Sequence, residues 1–277
     1  MSYLRIMKEN LTRSAFNALL TFVSNGIERH LEPTRIFRAL FSLYHAGLES
    51  QDVFHLISDC QRLCSQLHDG GWKDPEETAW AISVLSQIHG NDNEAVRRAK
   101  NWLNSVRHPG GGWGRHPRDQ VRIPTTAIAI TLVKSIATDL DRAWVRQSWG
   151  RDMISPVQLS YKGGFYLLTV HSELGGMIDP LIKKTLTFLT SDQNDDGGFA
   201  PWKNHPIGSD PWSTGVVLWG LSKWIDCVDP TVIERALHWL EVTQLPSGYW
   251  PYHYLDEGTS YALIGAVSAM RAMASRK

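Results

Sequence analysis

Apolar residues occupy almost the whole circumference of several short segments of this chain. Glu77-Thr-Ala-Trp-Ala-Ile82, Thr125-Thr-Ala-Ile-Ala-Ile130, Ser213-Thr-Gly-Val-Val-Leu218 and Gly258-Thr-Ser-Tyr-Ala-Leu263 each open such a segment. A helix that is apolar all round predicts burial on every side. Between these segments lie stretches with one polar and one apolar face, namely Asn93 to Val106, Asp179 to Thr190 and Asp229 to Val242. That pattern predicts outer helices with a solvent-facing side. Helix starts are marked by Asp74-Pro75, Asp179-Pro180, Asp210-Pro211 and Asp229-Pro230. In each pair an acceptor side chain caps free N–H groups, and a Pro with a fixed φ fills the first helical position. Alternation of period two is missing, although Gly163 to Val170 can be misread as a strand.

The segments recur with a shared loop phrase. Asp69-Gly-Gly-Trp72, Gly110-Gly-Gly-Trp113, Gly163-Gly-Phe165, Asp196-Gly-Gly-Phe199 and Ser247-Gly-Tyr-Trp250 are five versions of it. A repeat of about 35 to 50 residues, built of an outer helix, a Gly-aromatic loop and an inner helix, predicts stacked helix pairs. Inner segments fall at Pro33 to Ala46, Glu76 to Ile88, Pro124 to Ala137, near Phe165 to Glu173, Pro211 to Ile225 and Gly258 to Met273. Six pairs close a ring, so the expected architecture is all-α: one α,α-barrel domain over residues 1–277, with six inner and six outer helices. Thr12 to Gly26 is expected to pair with the first inner helix, and the last inner helix to close against it.

Composition narrows the function classes. Lys plus Arg (28) balance Asp plus Glu (28), so no global field favours nucleic acid or an anionic surface. Cys60, Cys64 and Cys227 do not form a disulfide framework, and no signal-peptide core follows Met1. The expected compartment is the cytoplasm, with peripheral membrane contact left open. Twelve Trp is high for this length, and several stand beside glycines in loops.

With these residues in view, the chain resembles the squalene-hopene cyclase and class II terpene cyclase superfamily, whose repeats carry a Gln-Trp signature ending in Asp-Gly-Gly-Trp or Asp-Gly-Gly-Phe. The resemblance runs from about Asp69 to Met273 and implies a single-domain version of the family's catalytic β-domain. Gly197-Gly-Phe-Ala200 followed by Asp210-Pro-Trp-Ser-Thr-Gly-Val-Val-Leu-Trp219 runs without a gap against the stretch holding the acid motif Asp-x-Asp-Asp-Thr-Ala. Asp210 then matches the first Asp and Thr214 the Thr. The middle Asp, which delivers the proton in the family, is Trp212 here, and the third is Ser213. Asp74-Pro-Glu-Glu-Thr-Ala79 keeps carboxylates at all three acidic places, in another repeat.

The implied chemistry is protonation of a polyprenyl chain, a small-molecule substrate, followed by ring closure. Such an acid must be a carboxyl kept neutral in a dry site, and aromatic faces must stabilise the migrating cation. Candidate acids are Asp210 and Glu76, nearly equal, with Glu77 behind; Asp119 sits beside arginines and would ionise too readily. Asp74 and Asp210 are also ordinary caps, and Glu76 and Glu77 also suit the positive end of a helix. Trp80, Trp212, Trp219, Tyr254 and Tyr261 are expected to contact substrate. Inner helices running in one sense would bring Asp74, Glu76, Glu77, Arg122, Asp210 and Glu257 to one rim. Arg115, Arg118 and Arg122 form a basic loop suited to an anionic head group. No cofactor is expected, except Mg2+ if the substrate is a diphosphate, and no metal-ligand set is legible. A non-catalytic isoprenoid-binding barrel and another enzyme on the same barrel, such as a prenyltransferase, are the alternatives.

Overall fold

The structure is a computed structural model that describes residues 3–29, 31–48, 66–174 and 178–276. These residues form eleven α-helices, two short 3-10 turns and no strand. The helices are α1 (Tyr3–Glu28), α2 (Pro33–Ala46), α3 (Pro75–His89), α4 (Glu94–Ser105), α5 (Ile123–Leu132), α6 (Asp139–Asp152), α7 (Ser160–Leu174), α8 (Pro180–Asp192), α9 (Pro211–Leu221), α10 (Pro230–Thr243) and α11 (Leu255–Ser275). Gly163 to Val170 is buried helix within α7, as the missing alternation requires. Cys60 and Cys64 lie outside the described residues, and Cys227 is an exposed free thiol.

Helix starts follow the Asp-Pro signals. Asp74 accepts from Glu77 N–H at 2.8 Å, Asp179 from Ile182 at 2.9 Å, Asp210 from Ser213 at 2.7 Å and Asp229 from Thr231 at 2.9 Å. The outer helices bury one stripe only. In α4 that stripe is Val96, Ala99, Trp102 and Leu103, at helical spacing of three and four. In α9 every residue from Ser213 to Leu221 is buried.

The chain divides into two compact units, Leu20–Ser148 and Met1–Leu19 with Trp149–Lys277. In the first, α3 packs against α2, α4 and α5. Trp113 and Trp80 are both fully buried there, and each contributes roughly 2–3 kcal/mol through apolar burial. In the second, α9 packs between α7 and α11 at backbone distance. A Cβ on Gly215 would stand 2.3 Å from the Tyr261 carbonyl oxygen, and one on Gly265 would stand 2.2 Å from that of Gly215. No side chain fits between these helices. The start of the chain joins this unit, because the Gln244 amide donates to Leu11 O at 3.1 Å and the Tyr249 hydroxyl to Ala18 O at 2.8 Å.

The repeated loop is a hydrogen-bonded device. In four of the five phrases the loop aromatic donates its backbone N–H to a Thr hydroxyl at the start of the next inner helix; the fifth, Gly163-Gly-Phe165, is not a loop but lies within α7. The pairs are Trp72 to Thr78 (2.9 Å), Trp113 to Thr126 (3.0 Å), Phe199 to Thr214 (2.9 Å) and Trp250 to Thr259 (3.1 Å). A buried N–H without such a partner would be costly, which explains why all four phrases carry the Thr. Gln66, Gln193 and Gln244 clamp their loops by donating to Gly70, Gly197 and Gly248 O. Arg107 occupies the corresponding place in the other copy, and its ion pair with fully buried Asp141 (3.2 Å) replaces the clamp. Asp69 and Asp196 each also hold a Trp indole of the following outer helix, at 2.8 and 3.0 Å.

Candidate functional site

The four Thr anchors align the inner-helix starts residue by residue. One place before the Thr stand Glu77, Thr125, Ser213 and Gly258, all buried. Three of these are small, so the fold needs only a small residue there. Glu77 departs from this requirement at a position that is 4% exposed. Its Oε2 has no hydrogen-bond partner among the described residues. Burial, reinforced by the Asp74 carboxylate, pushes the Glu77 carboxyl up from 4.5 to about 7, while Lys73 opposes the shift. Burial also raises Asp74, against the pull of the Glu77 and Glu76 N–H groups, His116 and Lys73. Lys73 itself pairs with Glu32 at 3.3 Å on the surface.

Glu76 is half-buried and accepts from the Trp80 indole N–H at 3.4 Å. Trp80 is fully buried and meets Phe41 of α2 edge to face, with centroids 5.0 Å apart. One turn of α3 thus carries a carboxyl raised to about 7, a second carboxyl and Trp80, with Phe41 of α2 against the indole. Phe41 was not foreseen in the sequence; only its place on the first inner segment could have suggested it.

Asp210, in the other unit, is a different kind of acid. Both its oxygens are engaged by Ser213, whose N–H and hydroxyl each donate at 2.7 Å. Burial raises its carboxyl, and these two bonds act against the rise. Near it, Trp212 is half-buried and packs edge to face on Tyr161 (5.0 Å), Phe165 (6.0 Å) and Tyr261 (5.6 Å). Tyr161 and Phe165 are one helical turn apart on α7, a spacing that puts those two rings on one face of that helix. Trp219 is buried in the packing of α9. Tyr254 is 56% exposed and immediately precedes α11. Arg115, Arg118 and Arg122 are exposed on the loop between Trp113 and α5, and His116 of that loop favours the ionised form of Asp74. Among the described residues no group of three or more His, Cys, Asp or Glu side chains is arranged to hold a metal ion.

The order of helices, loops and anchors has counterparts in known proteins. No protein-family model matches the chain. The type II terpene cyclase MstE of Scytonema superposes with a TM-score of 0.73 at 15% identity, over 95% of this chain and 99% of that one. The chain has the fold of a type II terpene cyclase. A variant of MstE in complex with its substrate geranylgeranyl dihydroxybenzoate matches this cyclase fold with a TM-score of 0.72 at 15% identity, covering 96% and 99% of the two chains. By sequence, drimenyl diphosphate synthase of Streptantibioticus cattleyicolor is 27% identical over an alignment of 202 positions that covers 63% of this chain and 36% of that protein. The match thus spans little more than a third of that relative's length. No helix among the described residues is long and apolar enough to cross a membrane.

Proposed function

We propose that this protein is a class II-like terpene or meroterpenoid cyclase that starts cyclisation with the Glu77 carboxyl. The observation that carries the reading is a buried carboxyl with an unengaged oxygen, at a place where the repeat needs only a small residue. A carboxyl with a pKa near 7 still holds its proton in a large fraction of molecules at neutral pH, which a general acid requires. Glu77 gives that proton to a terminal double bond of the polyprenyl chain. The π pair forms the new C–H bond and leaves a tertiary cation. Neighbouring double bonds attack in turn, forming C–C bonds, until a base removes a proton and the product is an isomer of the substrate. Asp74 disfavours early loss of the Glu77 proton, and the half-buried Phe41 ring suits the passing positive charge. Asp210, held at both oxygens by Ser213, serves as a cap in this reading.

Support for the substrate class comes from MstE, whose complex holds a geranylgeranyl dihydroxybenzoate, and from the drimenyl diphosphate synthase match. The protein, Glu77→Gln and Asp210→Asn would be incubated with farnesyl diphosphate, geranylgeranyl diphosphate and geranylgeranyl dihydroxybenzoate, with products read by mass spectrometry. Glu77→Gln should lose about a hundredfold or more in rate on the substrate that reacts. Asp210→Asn should keep most of it, since Asn caps about as well as Asp. A folded Glu77→Gln protein that cyclises at the normal rate would remove Glu77 as the acid. In the same reading Arg115, Arg118 and Arg122 hold the anionic head. Arg118→Ala or Arg122→Ala should raise KM more than they lower kcat; unchanged kinetics in both and in the double variant would remove that role.

A further inference from the structure

Two places before each Thr anchor stand Glu76, Pro124, Trp212 and Glu257, and all four are half-buried. The position on either side is buried in every one of these four repeats. This is therefore the place in the repeat where a side chain stays partly open while its helix is enclosed. Trp212 puts the largest side chain there. Its indole rests on three rings from the helices flanking α9, and two of these, Phe165 and Tyr261, are 0% and 2% exposed. The supporting helices are closely packed, because Gly215 and Gly265 let α9 and α11 meet at backbone distance and Gly164 and Gly220 do the same for α7 and α9. The indole is thus the open edge of a closely packed aromatic block. An apolar ligand meeting this block must fit around the indole or stop at it.

We propose that Trp212 sets the length of a hydrocarbon chain bound beside α7, α9 and α11, within its own unit. This rests on the isoprenoid reading above, and an indole occupies somewhat more room than one isoprene unit. A smaller residue at 212 therefore opens space for about one further unit, bounded by Tyr161, Phe165 and Tyr261.

The test measures binding, by titration calorimetry, of hexahydrofarnesol and phytanol. These saturated prenyl alcohols differ by one isoprene unit and have no double bond to protonate. The longer alcohol gains affinity wherever apolar surface is buried, so the readout is the change in the affinity ratio caused by substitution. Trp212→Ala should move the ratio toward phytanol by about tenfold or more, the discrimination expected when a hydrophobic site gains or loses apolar groups. Trp212→Phe should fall between, and it keeps a ring against Tyr161 should the Ala variant fail to fold. A ratio that stays within about twofold of the starting one in the folded variants overturns the proposal, as does failure of the unsubstituted protein to bind either alcohol. A ratio that shifts in a protein turning over no substrate would sink the catalytic reading and leave the length reading standing.

Discussion

Replacing Glu77 by Gln should change the pH dependence of stability in a way that only a perturbed buried carboxyl produces. The side chain keeps its shape and loses its titration. In the folded protein the Glu77 carboxyl titrates near 7, against an ordinary value of 4.5. Below pH 4.5 it is protonated whether the chain is folded or not, and it carries no penalty. Between 4.5 and 7 the unfolded chain releases the proton while the folded one keeps it, so stability falls as the pH rises. Above 7 both states are ionised, and the folded state bears the full cost of the buried charge. At about 1.36 kcal/mol for each pH unit, that cost is about 3 kcal/mol. The Gln variant escapes it, so its stability relative to the unsubstituted protein should rise by about 3 kcal/mol between pH 4.5 and 8. Any fixed cost of burying the amide shifts the whole difference curve without changing its slope. Urea denaturation of both proteins across pH 4.5 to 8.5 measures the curve directly. A difference that does not vary with pH would refute the reasoning, because it would place the Glu77 carboxyl in water or in a compensating ion pair.

Two further predictions concern the repeat itself. Thr214→Val keeps the shape of the anchor but leaves the buried Phe199 N–H without its acceptor, so it should cost about 1–3 kcal/mol in thermal or chemical denaturation, with Thr214→Ser losing less. Asp141→Asn breaks the ion pair with Arg107 and weakens the hold on Gly112 N–H (2.7 Å), and should cost about 3 kcal/mol. Gly110→Asp should recover part of that loss in the double variant, because Asp69 and Asp196 at the same place in two other loops hold the second Gly N–H, at 3.0 and 2.9 Å. An uncoupled pair of effects would show that Asp141 does not stand in for the missing loop Asp.

Helix content, helix starts and the loop phrase were legible along the chain because each depends on neighbours in sequence. Asp179, for example, caps α8 through a bond spanning only three residues. The aromatic positions 72, 113, 199 and 250 were legible as structural, since glycines beside a large ring already announce a turn packed against a neighbour. The burial of the three acids was not. Glu76, Glu77 and Asp210 look alike as first-turn or cap carboxyls, and adjacent residues on a helix point about 100° apart. Only packing decides which of them meets water. Tertiary structure buried Glu77 and left its Oε2 unengaged, while Ser213 took both oxygens of Asp210. It also gathered Tyr161, Phe165, Trp212 and Tyr261 from three helices, a grouping that no local spacing encodes. Local sequence thus determined where helices begin and which faces are apolar, because those follow from short-range bonds and periodicity. Desolvation and contact between distant residues determined which polar groups become chemically special, because a carboxyl's proton affinity depends on everything that surrounds it in space.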